Sequence, residues 1–241
     1  MDSFDEAKEL IAHSRDLYKT IDISYQKSIK EQEVAYSLKI GIKNFMENIR
    51  SALDYAAREL YTRNGMSPND KIYFPYAINN VSEIEFRSRL NRKIPEIFAN
   101  RPDIIDKICS YQHFACPQNY WMPLFMELNN ENKHAKFSPQ YRKETKSMDL
   151  VVNDQPVIGG ISENHTIIMK NCKLISGGVT VNVDYHEFSI NNSNPFRDNN
   201  LRQEIYIITS FVFTDNNQPV MTLLNDSLNG ANRIVDELSN I

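Results

Sequence analysis

The chain has 241 residues, with 27 Lys and Arg against 31 Asp and Glu, a net charge of −4, and 41% hydrophobic residues beside 24% charged ones. That balance excludes a disordered or fibrous chain. At this length one large domain or two small ones can bury a sizeable core, so neither metal nor disulfide is needed for stability.

A net charge of −4 is too small to name a partner, but its distribution is uneven. Residues 1–146 carry 22 basic and 20 acidic side chains, and residues 147–241 carry 5 and 11. Any surface for a polyanion therefore belongs to the first part. Cys109, Cys116 and Cys172 are odd in number and lack metal-ligand spacing, which suits reduced thiols in a cytoplasmic protein. The acidic start, Met1 to Glu6, and the lack of any apolar run of about 18 residues argue against secretion and membrane insertion.

Leu10, Ile11, Leu17 and Ile21 have loose helical spacing, and Ser24 to Glu33 is polar enough for a turn or a helical extension. From Val34 the apolar positions Leu38, Ile42, Phe45, Ile49, Leu53, Ala56 and Leu60 recur in steps of three or four, predicting a long amphipathic helix that ends near Asn64-Gly65. Two antiparallel helices are expected. Pro68-Asn69-Asp70 predicts a turn, and Tyr73-Phe74-Pro75-Tyr76 an extended aromatic segment, because Pro75 biases Phe74 away from helix. Ser82 with Glu85 fits a capping box opening a short helix, and Pro95 and Pro102 fit first-turn positions of two more. A further helix is expected from about Gln118 to His134, with Pro123 in its first turn.

Past Tyr141 the texture turns β-branched, in Leu150-Val151-Val152, Ile167-Ile168-Met169, Val179 to Val183, and Ile205 to Phe213. With turns at Gly159-Gly160 and Gly177-Gly178, these runs predict antiparallel strands. Asn191 to Asn200 reads as a polar loop. Pro219 then opens a helix in which Gly230 is a weak point. The expected class is α+β: an N-terminal helical bundle over residues 1–146, then a small antiparallel sheet and a C-terminal helix over 147–241, with the two parts able to pack as one unit.

Chemistry concentrates in Glu127 to His134. Leu124 and Leu128 bury one face there, while Asn130, Lys133 and His134 stand three and four residues apart on another. An imidazole can take or give a proton, and a Lys or Arg can stabilise a developing phosphorane charge, which is what metal-independent RNA cleavage by an internal 2′-hydroxyl requires. The competing reading makes the Asn residues helix-end caps and His134 a packing residue. Glu47, Arg50, Asp54 and Arg58 form a second polar stripe on the long helix, with Arg50 and Asp54 spaced to pair. If that stripe faces the His134 helix, Asp54 orients the imidazole and Arg50 holds phosphate. Weaker candidates are the basic set Arg87, Arg89, Arg92, Lys93, Arg101 and Lys107, with Tyr73, Phe74 and Tyr76 for base stacking, and the basic run Lys133, Lys136, Arg142, Lys143 and Lys146. His113 between Cys109 and Cys116 has no fourth ligand, so no metal or cofactor is expected. Glycine-rich phosphate loops, nucleophile elbows and paired-His zinc motifs are absent.

Arg50 to Leu60, Phe74-Pro75 and Leu128 to His134 together resemble a group of bacterial proteins whose helical part is similar to HEPN domains. The resemblance spans roughly residues 30–140 and implies a helical bundle that dimerises, acting on RNA without metal in defence or toxin systems, with an antitoxin or defence component as a protein partner. The HEPN nuclease signature sets an Arg, often followed by a polar residue, four to six residues before a His. Carried over, the His is His134, the polar residue Asn130, and the Arg position is occupied by Asn129. Arg50 or Lys133 would then have to supply the missing cation. A non-catalytic interaction or scaffold member would show the same altered motif.

Overall fold

The computed structural model describes residues 2–67, 71–134 (131–134 by backbone only), 139–192, 196 and 198–241. It is an α+β protein with helices at both ends of the chain and antiparallel strands between them. The expected turn at Pro68-Asn69-Asp70 lies outside the described residues.

The first helix, α1 (Ser3–Glu31), includes the polar stretch after Ser24 as a helical extension. Asp2 closes a capping box with Asp5, and Gln32 in the left-handed region ends the helix. After four residues α2 (Tyr36–Arg63) begins, and the apolar stripe from Leu38 to Leu60 is buried throughout. The two helices are antiparallel: the Ser3 amide donates to Glu59 Oε2 at 3.1 Å, Arg63 pairs with Asp2 at 2.6 Å, and Gly41 packs on Ile21. Three short helices follow an extended segment. They are α3 (Glu83–Lys93), opened by the Ser82/Glu85 capping box, then α4 (Pro95–Asn100) and α5 (Pro102–Ser110), each with Pro in its first turn. A single turn of 3-10 helix at Pro117–Tyr120 leads into α6 (Trp121–His134), whose Pro123 lies in the first turn.

The strands are β1 (Gln140–Val152), β2 (Gln155–Ser162), β3 (Ile167–Ser176), β4 (Val179–Phe188) and β5 (Leu201–Phe213). They form a three-stranded sheet in the order β2-β1-β5 and a β3-β4 hairpin. Gly177-Gly178 makes the β3-β4 turn, where both residues have positive φ. Gly159-Gly160 lies inside β2 and makes no turn. The β1-β2 turn is Asn153-Asp154, both at positive φ (50° and 58°), between the paired Val152 and Gln155. Asn and Asp tolerate that region, so the hairpin needs no glycine there. Gly160 donates its amide to Asp149 Oδ1 beside an irregularity in the β1-β2 register. The basic residues from Arg142 to Lys146, whose sequence also suits a linker, form the first half of β1.

The last element is α7 (Val220–Ser239), which buries Leu223, Leu224, Leu228, Ile234, Val235 and Leu238. By internal contacts the chain divides into residues 1–141 with 211–241, and residues 142–210. The boundary thus lies at 141/142 rather than 146/147, and α7 groups with the helices because its apolar face packs against α1, α2 and α6. At the return into the helical unit, the Phe211 amide donates to Tyr25 Oη at 2.8 Å and the two rings meet edge to face. The inserted unit has its own core, built around Met148, Leu150, Val152, Val181, Val183 and Phe188.

Candidate functional site

Asp54 follows Arg50 by one helical turn of α2, so both side chains leave the same face, and Arg50 Nε donates to Asp54 Oδ2 at 3.0 Å. The pair is largely shielded, with side chains 12% and 20% exposed. The other Asp54 oxygen accepts the backbone amide of Phe74 at 2.8 Å. The buried Gln112 accepts the Ala77 amide at 2.8 Å and donates to the Pro75 carbonyl at 3.3 Å. Two side chains thus pair three backbone groups of the extended 71–78 strap, which has no ladder partner among the described residues. Phe74 is buried beneath it, and Tyr73 is exposed.

The strap carries Tyr76 to Arg50, with the guanidinium carbon 5.4 Å from the ring centroid. Asn130 of α6 donates from Nδ2 to Tyr76 Oη at 3.3 Å, and Arg50 Nη1 donates to Met126 Sδ on the same helix. Of the polar stripe on α2, Arg50 thus reaches α6, while Asp54 turns to the strap. Of the site residues read from the sequence, Arg50, Asp54 and Asn130 come together through Tyr76. Lys133 and His134 follow Asn130 by three and four residues on α6, and their side chains lie outside the described residues. Asn129, at the carried-over Arg position, is 1% exposed, and both its amide atoms lack partners among the described residues.

Beside this cluster is a cavity of about 470 Å³ bounded by α2, the strap and α3. Arg50 and Tyr76 form part of its wall, along with Lys71, Arg89 and Lys93. Tyr61 also lines it; the residue is 3% exposed, its hydroxyl has no partner among the described residues, and burial pushes that hydroxyl's pKa far up. Gln112 and Tyr61 escape sequence reasoning, since a lone Gln or Tyr in a helical region carries no signal of a distant backbone or cavity. Several of the other basic candidates are occupied: Arg87 pairs with Glu83 and Asp106, Arg101 with Asp103, Lys107 with Glu237 and Arg142 with Glu144. His113 packs edge-on to Phe114 and Tyr120, and burial lowers its pKa. The Cys109 thiol is pushed up to about 11 by burial. Among the described residues, no group of three His, Cys, Asp or Glu is placed to hold a metal ion. No described helix is long and apolar enough to cross a membrane. No family model, curated protein or solved structure matches the chain.

Proposed function

We propose that the chain is an RNA-binding protein with a HEPN-like helical part, working in the cytoplasm as a homodimer within a bacterial defence or toxin system. The observation that supports this reading is the meeting of Arg50, Tyr76 and Asn130 from three separate elements, one turn of α6 before His134. The aromatic ring and the amide offer RNA a stacking face and a base-edge donor, beside an Arg50 whose charge is shared with Asp54. In the cleaving form of this reading, His134 exchanges the proton of the 2′-hydroxyl, Lys133 faces the phosphate, and Asn130 positions the pair.

A second reading, a non-catalytic interaction module, draws on the same site. Arg50 and Asp54 spend hydrogen-bonding capacity on each other and on the strap, and a buried Asn129 stands where the signature has Arg. The deciding experiment measures RNA affinity at about 50 and about 200 mM salt and, in parallel, cleavage of labelled single-stranded RNA in EDTA by wild type and His134→Ala. Affinity that falls with salt and is weakened by Lys133→Ala is the expected result, and cleavage lost in His134→Ala would add catalysis. Absence of salt-sensitive binding would leave the interaction module, with an antitoxin or defence component as its partner.

A further inference from the structure

We propose that the cavity between α2, the strap and α3 is a binding site for a small amphipathic organic anion, with an apolar ring-bearing body inside and the negative group toward Lys71, Arg89 and Lys93. Its volume of about 470 Å³ falls in the range of small-molecule sites, about 300–1,000 Å³, and is too small for a two-chain lipid. The wall is chiefly apolar, with Ile72, Phe74, Phe86 and Leu90 among its residues. No acidic side chain is among the described residues lining it.

Charge gives the sign of the ligand. Arg50 is neutralised by Asp54, but Lys71, Arg89 and Lys93 are in no ion pair among the described residues. The acid nearest in sequence to Arg89 is Glu85, one helical turn back; it feels the Arg89 charge, but its carboxylate is held chiefly by the Ser82 amide and hydroxyl in the capping box and forms no ion pair with Arg89. Three cations around one hollow repel one another, and an anion among them removes that cost. Tyr61 packs its ring into the same wall, and its hydroxyl is buried without a hydrogen-bond partner among the described residues.

The test uses the full chain and anilinonaphthalene sulfonate, an aromatic anion, followed by fluorescence and calorimetry. A single saturable site is expected, and the neutral analogue phenylnaphthylamine should bind at least about tenfold more weakly because it lacks the charge. Arg89→Glu with Lys93→Glu should weaken the anion by about tenfold or more, whereas the same charge change on α1, Lys19→Glu with Lys27→Glu, should leave it within about twofold. Ile78→Trp, at an exposed part of the lining, should obstruct entry without disturbing the core. Hydrogen exchange on adding the anion should slow in residues 71–78 and 83–94. Unsaturable binding, equal weakening by the α1 reversals, or equal affinity for the neutral analogue would overturn the assignment. The probe contains no nucleotide, so failure here and failure of the RNA reading are separate results.

Discussion

Asp54 is an acceptor for two different parts of the chain, and that decides what its loss does. Asp54→Ala removes the partner of a guanidinium only 12% exposed and leaves the Phe74 amide without its acceptor. Leaving such groups unpaired costs about 1–3 kcal/mol, so thermal melts of Asp54→Ala should fall by that amount even if the residue has no part in RNA chemistry. Glu237 makes a second prediction with a definite pH sign. Its carboxylate accepts from Lys107 Nζ at 2.7 Å and from Tyr111 Oη at 3.0 Å, and the Lys107 hydrogen bond chiefly holds its pKa below the usual Glu value. A carboxylate depressed on folding stabilises the protein above its unfolded pKa, and that contribution is lost as pH falls through the lower folded value. With 37% of both side chains exposed the pair is a surface one, worth about 0.2–1 kcal/mol. Denaturant melts should therefore show Glu237→Gln less stable than wild type at neutral pH, with the gap closing as the solution is acidified below the ordinary Glu range. A gap that widens in acid would contradict the assignment. At this scale the sequence was partly legible. The Arg50–Asp54 pair follows from i, i+4 spacing, but Phe74 lies 20 residues beyond Asp54 and contributes an amide that every residue except proline has.

Elements were more legible than their contacts, because burial imposes a period that single side chains do not carry. The stripe from Leu38 to Leu60 marks α2, and the prolines at 95 and 102 mark α4 and α5, since each of these signals acts within its own segment. Turn chemistry was more ambiguous. Gly159-Gly160 and Asn153-Asp154 are both competent turn pairs, and which one closes the β1-β2 hairpin depends on register between strands. Gly230 likewise reads as a flaw in α7, yet the structure gives it a packing role: a Cβ there would overlap the indole of Trp121 at the start of α6. Gly230→Ala should gain up to about 1 kcal/mol in helix propensity and lose about 1–3 kcal/mol to overpacking. A lower melting temperature is expected, and a higher one would mean that α6 and α7 can part without cost.

On the scale of the whole molecule, the helical unit is assembled from both sides of an insertion. Residues 142–210 leave and return where the Pro139 carbonyl accepts the Thr214 amide at 2.9 Å, so the points of exit and entry are close together. Replacing 142–210 by a short Gly/Ser linker should therefore leave a helical protein with a cooperative melt, read by circular dichroism. Ending the chain at Tyr141 should instead give an aggregating or molten product, because α1, α2 and α6 lose the apolar face of α7. The local texture of helices and strands was readable in the sequence, but this pairing of distant segments was not, since the periodicity of α7 says that it has a buried face and not which helices cover it. The same arrangement imposes a schedule on synthesis. At about 5–20 residues per second, the ribosome spends several seconds making residues 142–210 before the first turn of α7 exists. Throughout that interval the nascent α1-α2 pair has its α7-facing side bare, because the helix that covers it has not yet been made. The beginning of the chain therefore completes its core last, only when its end arrives.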